Sequence, residues 1–336
     1  MLIYNPLAKI TFPKYGIQIP SLDSRKTNTI KALKADSTLG RRKADWLIQD
    51  FPASISRDDL ERAHSAEYLD RLLGENQEQT LMEAYELLDE QGNFNRYDPE
   101  EAEAPLGGII EDVMTIISGS YAAIPIALET GFSYFLGGGM HHGHPGYGHG
   151  FCLLNDIAVA LLKARDEGLF KTAWIVDMDA HRGDGTAEIM ASHSDITSLS
   201  IHMARGWPLD SPEFKEDGSL NPSWFPGDVD IPIESGEEGE YTHRLMKAMD
   251  KLEQKGRPDL VFVVAGVDPY EKDELPSTDL MKMTKEQMLE RDQALYRFLE
   301  DRQIPSAWVA AGGYGASSWE IHTQFLDWVL KRRLKD

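Results

Sequence analysis

Apolar residues fall along this chain in short blocks separated by longer amphipathic stretches. FSYFL (132–136), AWIVD (173–177), ITSLSI (196–201), LVFVVA (260–265) and SAWVAA (306–311) are rich in Val, Ile, Phe and Trp, the pattern of strands buried on both faces. Between them, NDIAVALLKARDEG (155–168) has helical apolar spacing and closes on Gly168. TKEQMLERDQALYRFLED (284–301) opens with Thr284 and Gln287 at capping-box spacing. Strand and helix alternating at this rhythm predict βαβ units. The expected class is therefore α/β, with a mostly parallel multi-stranded sheet and helices on both faces. The segment 74–105 is the most polar and acidic, and reads as a surface helix plus a loop leaving the main body. No repeat or Ser/Gly linker divides the chain, so residues 1–336 are expected to form a single domain.

Composition narrows the classes of function. With 41% apolar residues, 336 residues can bury a sizeable core. The formal net charge of -22 speaks against a nucleic-acid partner, because the basic groups in SRKTN, GRRKAD and LKRRLKD are short and dispersed. Such a surface would draw lysine-bearing peptides or polyamines, although solubility is its plainer account. The one cysteine, Cys152, excludes an internal disulfide and suits a reducing compartment. The N-terminus lacks a secretory pattern and no apolar run approaches a membrane span, so no membrane partner is expected. The expected location is cytoplasmic, with export by another kind of signal and the oligomeric state left open.

Polar groups follow the predicted strands. In a parallel α/β sheet, ligands gather beyond the carboxyl ends of the strands. FSYFL runs into His141 and His142, AWIVD into Asp177, Asp179 and His181, LVFVVA into Asp268, and SAWVAA into Gly312, Gly313 and Tyr314. Asp179 and His181 are two apart and can point to one side. With Asp268 they make a three-ligand set with room for water. Zinc fits it, and two oxygens with one nitrogen also suit Mn or Fe(II). The alternative is that Asp179 and His181 cap the next helix, which the convergence of segments disfavours.

GGGMHHGHPGYGHG (137–150) holds four of the ten histidines. Adjacent His141 and His142 cannot easily chelate one ion together, so they are better suited to acid/base work, with Asp177 and Asp184 as orienting partners. His144 and His149 have no matching acids in these motifs and read as loop or pocket-rim residues. Tyr314 follows two glycines that let its hydroxyl approach a ligand, where it can stabilise an oxyanion; its alternative is a core tyrosine. GGG at 137–139 lacks the residues of a phosphate loop.

Taken together, RAHSAEYLDRLL (62–73), GGGMHH, GHGFCLLNDIAVA, VDMDAHRGDGTAEI, VAGVDPYEKDEL and AAGGYG resemble the histone deacetylase superfamily, with its arginase/deacetylase fold. The resemblance implies a zinc-dependent deacylase of lysine side chains, one Zn2+ per chain held by Asp179, His181 and Asp268. It places the tandem histidines at His141 and His142, their carboxylates at Asp177 and Asp184, and the oxyanion tyrosine at Tyr314. His142 is implied as general base and acid, with His141 mainly electrostatic. Phe151, Gly150, Gly312, Leu275 and Trp207 are implied to line the acyl-lysine tunnel, and Asp98 to grip the substrate backbone. A K+ ion would take Asp177 and Ser200, with carbonyls of Asp179, His181 and Ile201.

The chain departs from that pattern at Arg182, where many relatives have a second histidine; altered loop packing is expected there, with catalysis kept. The overall motif set is nearer the bacterial and class IV branch. Leu275 occupies the position where polyamine-specific relatives carry a gatekeeper glutamate, which favours lysine substrates, while neighbouring Glu274 keeps an acetylpolyamine amidohydrolase in view. An arginase-type ureohydrolase would need two manganese ions and a second Asp-x-Asp set. A non-catalytic acyl-lysine binding module would not need Tyr314.

Overall fold

A computed structural model describes residues 1–52, 54–89 and 91–335. Eight strands form one sheet: β1 (Leu2–Ile3), β2 (Leu47–Ile48), β3 (Phe132–Phe135), β4 (Ala173–Asp177), β5 (Ile196–Met203), β6 (Val229–Ile233), β7 (Leu260–Ala265) and β8 (Ser306–Ala310). Their spatial order is β2-β1-β3-β8-β7-β4-β5-β6, and every neighbouring pair is parallel. The five expected strands are all present. The two-residue strands β1 and β2 and the half-exposed edge strand β6 carry too little apolar pattern to stand out in the sequence.

Alternation along the strands gives the sheet two cores. Trp174, Val176, Val261, Val263 and Trp308 face one, while Ile175, Phe262, Val264 and Val309 face the other. Both expected helices form. Asp156–Asp166 is capped by the Asn155 side chain, and Lys285–Asp301 has a complete capping box between Thr284 and Gln287.

One expectation is corrected. The apolar stretch Leu106–Thr130, which includes the helix Ile109–Thr130, is long and apolar enough to cross a membrane by length and composition. It is instead packed within the fold, with 61% of its apolar window buried. A Cβ at Gly119 would come within 2.3 Å of Phe135 Cζ, so this glycine lets the helix lie directly on β3.

Winding direction positions the site. From β4 the chain moves outward to β5 and β6, then returns to the other side of β4 as β7 and continues to β8. The order therefore reverses at the β4/β7 pair, and a crevice opens beyond their carboxyl ends. That is where Asp177 closes β4 and where the chain leaves β7 toward Asp268.

Near the crevice, the helix Ser24–Ala35 buries Lys26, whose Nζ donates to the Ala8 carbonyl at 3.2 Å. Burial, and after it the charge of Arg25, pushes this ammonium down to about 7. Because the folded value lies below the unfolded one, the unfolded chain holds more protons between the two. Stability should therefore rise as pH climbs from about 7 toward the ordinary lysine range. Lys26→Met is expected to raise the melting temperature at and below neutral pH and to flatten that rise. Thermal unfolding across pH checks this, and an unchanged slope in the variant would contradict it.

Candidate active site

Beyond β4, the chain turns so that Asp179, His181 and Asp268 come together. All three are buried, and their ligand atoms lie within 4.8 Å of one another. His181 Nδ1 is 3.2 Å from Asp179 Oδ1 and 3.2 Å from Asp268 Oδ2, while Nε2 faces Ser277 Oγ at 3.0 Å. With the proton on Nε2, Ser277 orients the ring and leaves Nδ1 as a donor atom for a metal. Backbone groups hold the carboxylates: Gly312 N donates to Asp179 Oδ2 at 2.8 Å and Ala180 N to Asp268 Oδ1 at 3.0 Å.

The cluster fits a cation. Asp268 Oδ2 is buried without a hydrogen-bond partner, an expensive state for a carboxylate oxygen. A Cβ on Gly312 would lie 2.4 Å from Asp179 Oδ2 and 2.5 Å from Asp268 Oδ2, so glycine keeps the space beside both oxygens open. Burial and the nearby Asp179 push Asp268 up to about 7. At His181 burial opposes charge, but the two carboxylates outweigh it and raise the ring to about 10. A pocket that draws positive charge this strongly, through two oxygens and one nitrogen, suits zinc or another divalent first-row ion.

The histidine pair sits beside this cluster with its rings 3.9 Å apart. His141 Nδ1 is 2.6 Å from Asp177 Oδ2 and His142 Nδ1 is 2.7 Å from Asp184 Oδ1. Their electrostatics differ. Burial disfavours charge on His141, yet Asp177 and Asp179 prevail and push it up to about 9. At His142, burial and then the charge of His141 win over Asp184, driving it down to about 3. One imidazole is thus disposed to stay charged and the other to stay neutral.

A cavity of about 290 Å³ reaches this cluster, and Gly150, Phe151, Trp207, Leu275, Gly312 and Tyr314 line it together with both histidines. The Trp207 and His142 ring centres lie 4.5 Å apart in an edge-on arrangement, and a Cβ on Gly150 would collide with that indole at 2.3 Å. Burial and the charges of Asp179 and Asp268 hold the Tyr314 phenol protonated, well above its ordinary value. Asp273 Oδ2 accepts from Tyr314 N at 2.7 Å and fixes its loop. A smaller cavity of about 100 Å³ lies behind, sharing Gly139, Gly312 and Tyr314 and reaching Arg25 and Lys26.

Asp98 and His144 each have close partners of their own. Asp98 does not line the cavity: its carboxylate accepts from Glu100 N at 3.0 Å, and its backbone pairs with Gly16. Glu86 and Arg96 from the same acidic segment come to the mouth instead, with the Arg96 guanidinium 5.6 Å from the Phe151 ring centre. His144 lies in the loop, fully buried and away from the cavity lining; Nδ1 is 2.6 Å from Glu188 Oε2, and Nε2 faces Asp184 Oδ2 at 3.4 Å. Asp184 and Glu188 lie one helical turn apart on Asp184–Met190, an i,i+4 spacing visible in the sequence. His149 lies 5.1 Å from Trp207, ring to ring, and near Glu86.

Other partners carried no motif signal. Asp156 accepts from Gly139 N, from Met140 N and from Ser120, fixing the glycine loop, and Asn155 Nδ2 donates to the carbonyl of Gly143 at 3.1 Å. Around the expected potassium positions, the β4–β5 register sets Asp177 beside Ser200, with Ile201 next on β5. Arg182 is buried, pairs with Asp230 at 2.7 Å and donates to the carbonyls of Ser223 and Phe225, so it ties down the loop before β6.

Fold and site together define an α/β protein with a buried three-ligand cluster fit for a metal and a polarised histidine pair beside it. A family model described as the histone deacetylase domain matches residues 20–326, and the chain belongs to that family. It is 31% identical over 215 residues to an uncharacterized protein of Picosynechococcus sp., covering 64% of this chain and 66% of that one. Against histone deacetylase 2 of Arabidopsis thaliana it is 27% identical over 61% of this chain and 50% of the relative. Against the acetoin utilization protein AcuC of Staphylococcus aureus it is 29% identical over 55% of this chain and 46% of the relative. The matched part thus spans about half to two thirds of these relatives.

Asp268→Asn is expected to weaken divalent-metal uptake by about 100-fold or more, since it removes a ligand charge from a buried site. Competition with a chromogenic chelator measures it, and wild-type affinity would contradict the ligand assignment. Arg182→Ala should cost about 1–3 kcal/mol in urea unfolding by leaving buried carbonyls unpaired, with metal affinity kept.

Proposed function

We propose that this chain is a zinc-dependent amidohydrolase that removes acetyl or longer acyl groups from lysine side chains, acting as one catalytic domain over residues 1–336. The observation that carries the reading is the largely apolar cavity that ends on Asp179, His181 and Asp268, with His141, His142 and Tyr314 around them. Held by those three ligands, the metal would supply a Lewis acid for the amide carbonyl and for the attacking water.

The chain's own groups do the rest. Phe151, Trp207 and Leu275 enclose the apolar stem of an acylated lysine and keep bulk water out. Neutral His142 takes the proton from the attacking water, then returns it to the amine nitrogen as the C–N bond breaks. The products are a free lysine amine and a carboxylate. Asp184 holds the His142 ring in the tautomer that leaves Nε2 open. His141, charged and anchored on Asp177, stabilises negative charge as it develops. Protonated Tyr314 donates to the carbonyl oxygen in the transition state. K+ at Asp177 and Ser200, with the carbonyls of Asp179, His181 and Ile201, would brace the same turn from behind. A cytoplasmic setting agrees with the lone, buried Cys152.

Lysine rather than polyamine is supported by the placement of Glu274, whose Oε1 accepts from Ala316 N at 2.9 Å instead of facing the cavity that Leu275 lines. Zinc-loaded protein should hydrolyse acyl-lysine peptides faster than acetylspermidine. Tyr314→Phe should lower kcat by about 10²–10³ with little change in metal content. Faster cleavage of acetylspermidine, or full activity in the Phe variant, would overturn this.

A further inference from the structure

Two metal ligands ride on neighbouring strands just past the end of their shared ladder. The β4–β7 pairing closes at Asp177 and Val264, followed by a single bond from Met178 N to Val264 O at 3.0 Å. Beyond it the backbone must still hold Asp179 and Asp268 at one point, and the carbonyls of Met178 and Gly266 find no backbone N–H donor within the sheet. Arg291 reaches both. From the helix Lys285–Asp301, its Nη1 donates to Met178 O at 3.1 Å and its Nη2 to Gly266 O at 3.0 Å. The side chain is fully buried, Asp292 Oδ1 accepts from Nε at 2.9 Å, and the Tyr241 ring lies 5.8 Å away.

A buried guanidinium costs several kcal/mol of desolvation unless its donors are satisfied, and here each nitrogen has an acceptor. Its planar fork suits two carbonyls on separate strands, a geometry a single ammonium cannot reproduce. Met178 directly precedes the ligand Asp179, and Gly266 stands two residues before Asp268. Strand separation at this level is already tight: a Cβ on Gly266 would lie 2.6 Å from Asp179 Cα. We propose that Arg291 is a positioning residue for the metal centre, a side-chain rung that extends the β4–β7 ladder and sets the spacing of Asp179 and Asp268. This rests on reading Asp179, His181 and Asp268 as metal ligands. It assigns a role to a helix that contributes nothing to the cavity wall.

The test is Co2+ titration of chelator-treated full-length protein, read by the visible d–d absorption of the bound ion and by chelator competition. Arg291→Lys keeps the charge and can satisfy one carbonyl. The pair Arg291→Met with Asp292→Leu removes both charges together, so that no unpaired ion is left in the core. Second-sphere changes of this kind cost about 10–100-fold in affinity. The double variant is expected at the upper end of that range with an altered absorption band, and Arg291→Lys is expected between it and wild type. A merely structural role would lower the melting temperature while leaving affinity and band of the folded protein at wild-type values, and that result in Arg291→Lys or in the double variant overturns the proposal. So does a wild-type protein that takes up no Co2+. If the variants lose affinity while the wild type hydrolyses no acyl-lysine, the clamp stands and the functional reading fails.

Discussion

Two carboxylates, Asp179 and Asp268, are buried side by side where parallel strands β4 and β7 end. Like charges in that setting repel strongly and lose their water, so the arrangement is tolerable only if positive charge joins them. His181, 3.2 Å from an oxygen of each, adds a nitrogen and completes a set that could hold a cation on the side toward the cavity. Much of the surrounding structure can be understood as holding this unfavourable pair in place. Backbone amides of Gly312 and Ala180 point at the carboxylates, and Gly312 leaves the cation's space clear.

The same electrostatic logic separates the two histidines. His141 sits against Asp177 and nearer the carboxylate cluster, whereas His142 shares a partner, Asp184, that also faces His144. With His144 raised to about 9 because Asp184 and Glu188 outweigh its burial, Asp184 lies between two imidazoles. Burial and the charge of His141 nonetheless outweigh Asp184 at His142, leaving a neutral His142 beside a charged His141.

Much of this was legible in the sequence because parallel strands buried on both faces form unbroken apolar runs, and the residues just after each run fall on one rim. The residues of the Asp179, His181 and Asp268 cluster, the histidine pair and their carboxylates could be named from that. What could not be read was long-range or locally unremarkable. Ile109–Thr130 exposes only a few polar residues, such as Glu111 and Glu129, so its periodicity is weak. Asp98, implied only by the resemblance, takes part in a turn against Gly16, while Glu86 and Arg96 line the mouth. His144 looked unpartnered because its acids lie about forty residues on, in a helix whose i,i+4 spacing only matters once the loop docks there. Arg182, which breaks the expected motif, proves to be a tether for the loop carrying Ser223 and Phe225.

To act as an amide-hydrolysing centre, that carboxylate pair would need one cation to join it. The most direct measurement is reconstitution of chelator-stripped protein with graded Zn2+, following acyl-lysine hydrolysis against metal content by mass spectrometry. Activity should be absent without metal and should rise to a plateau at one ion per chain. Hydrolysis that persists in the stripped protein, or a plateau reached only at two ions per chain, would contradict it.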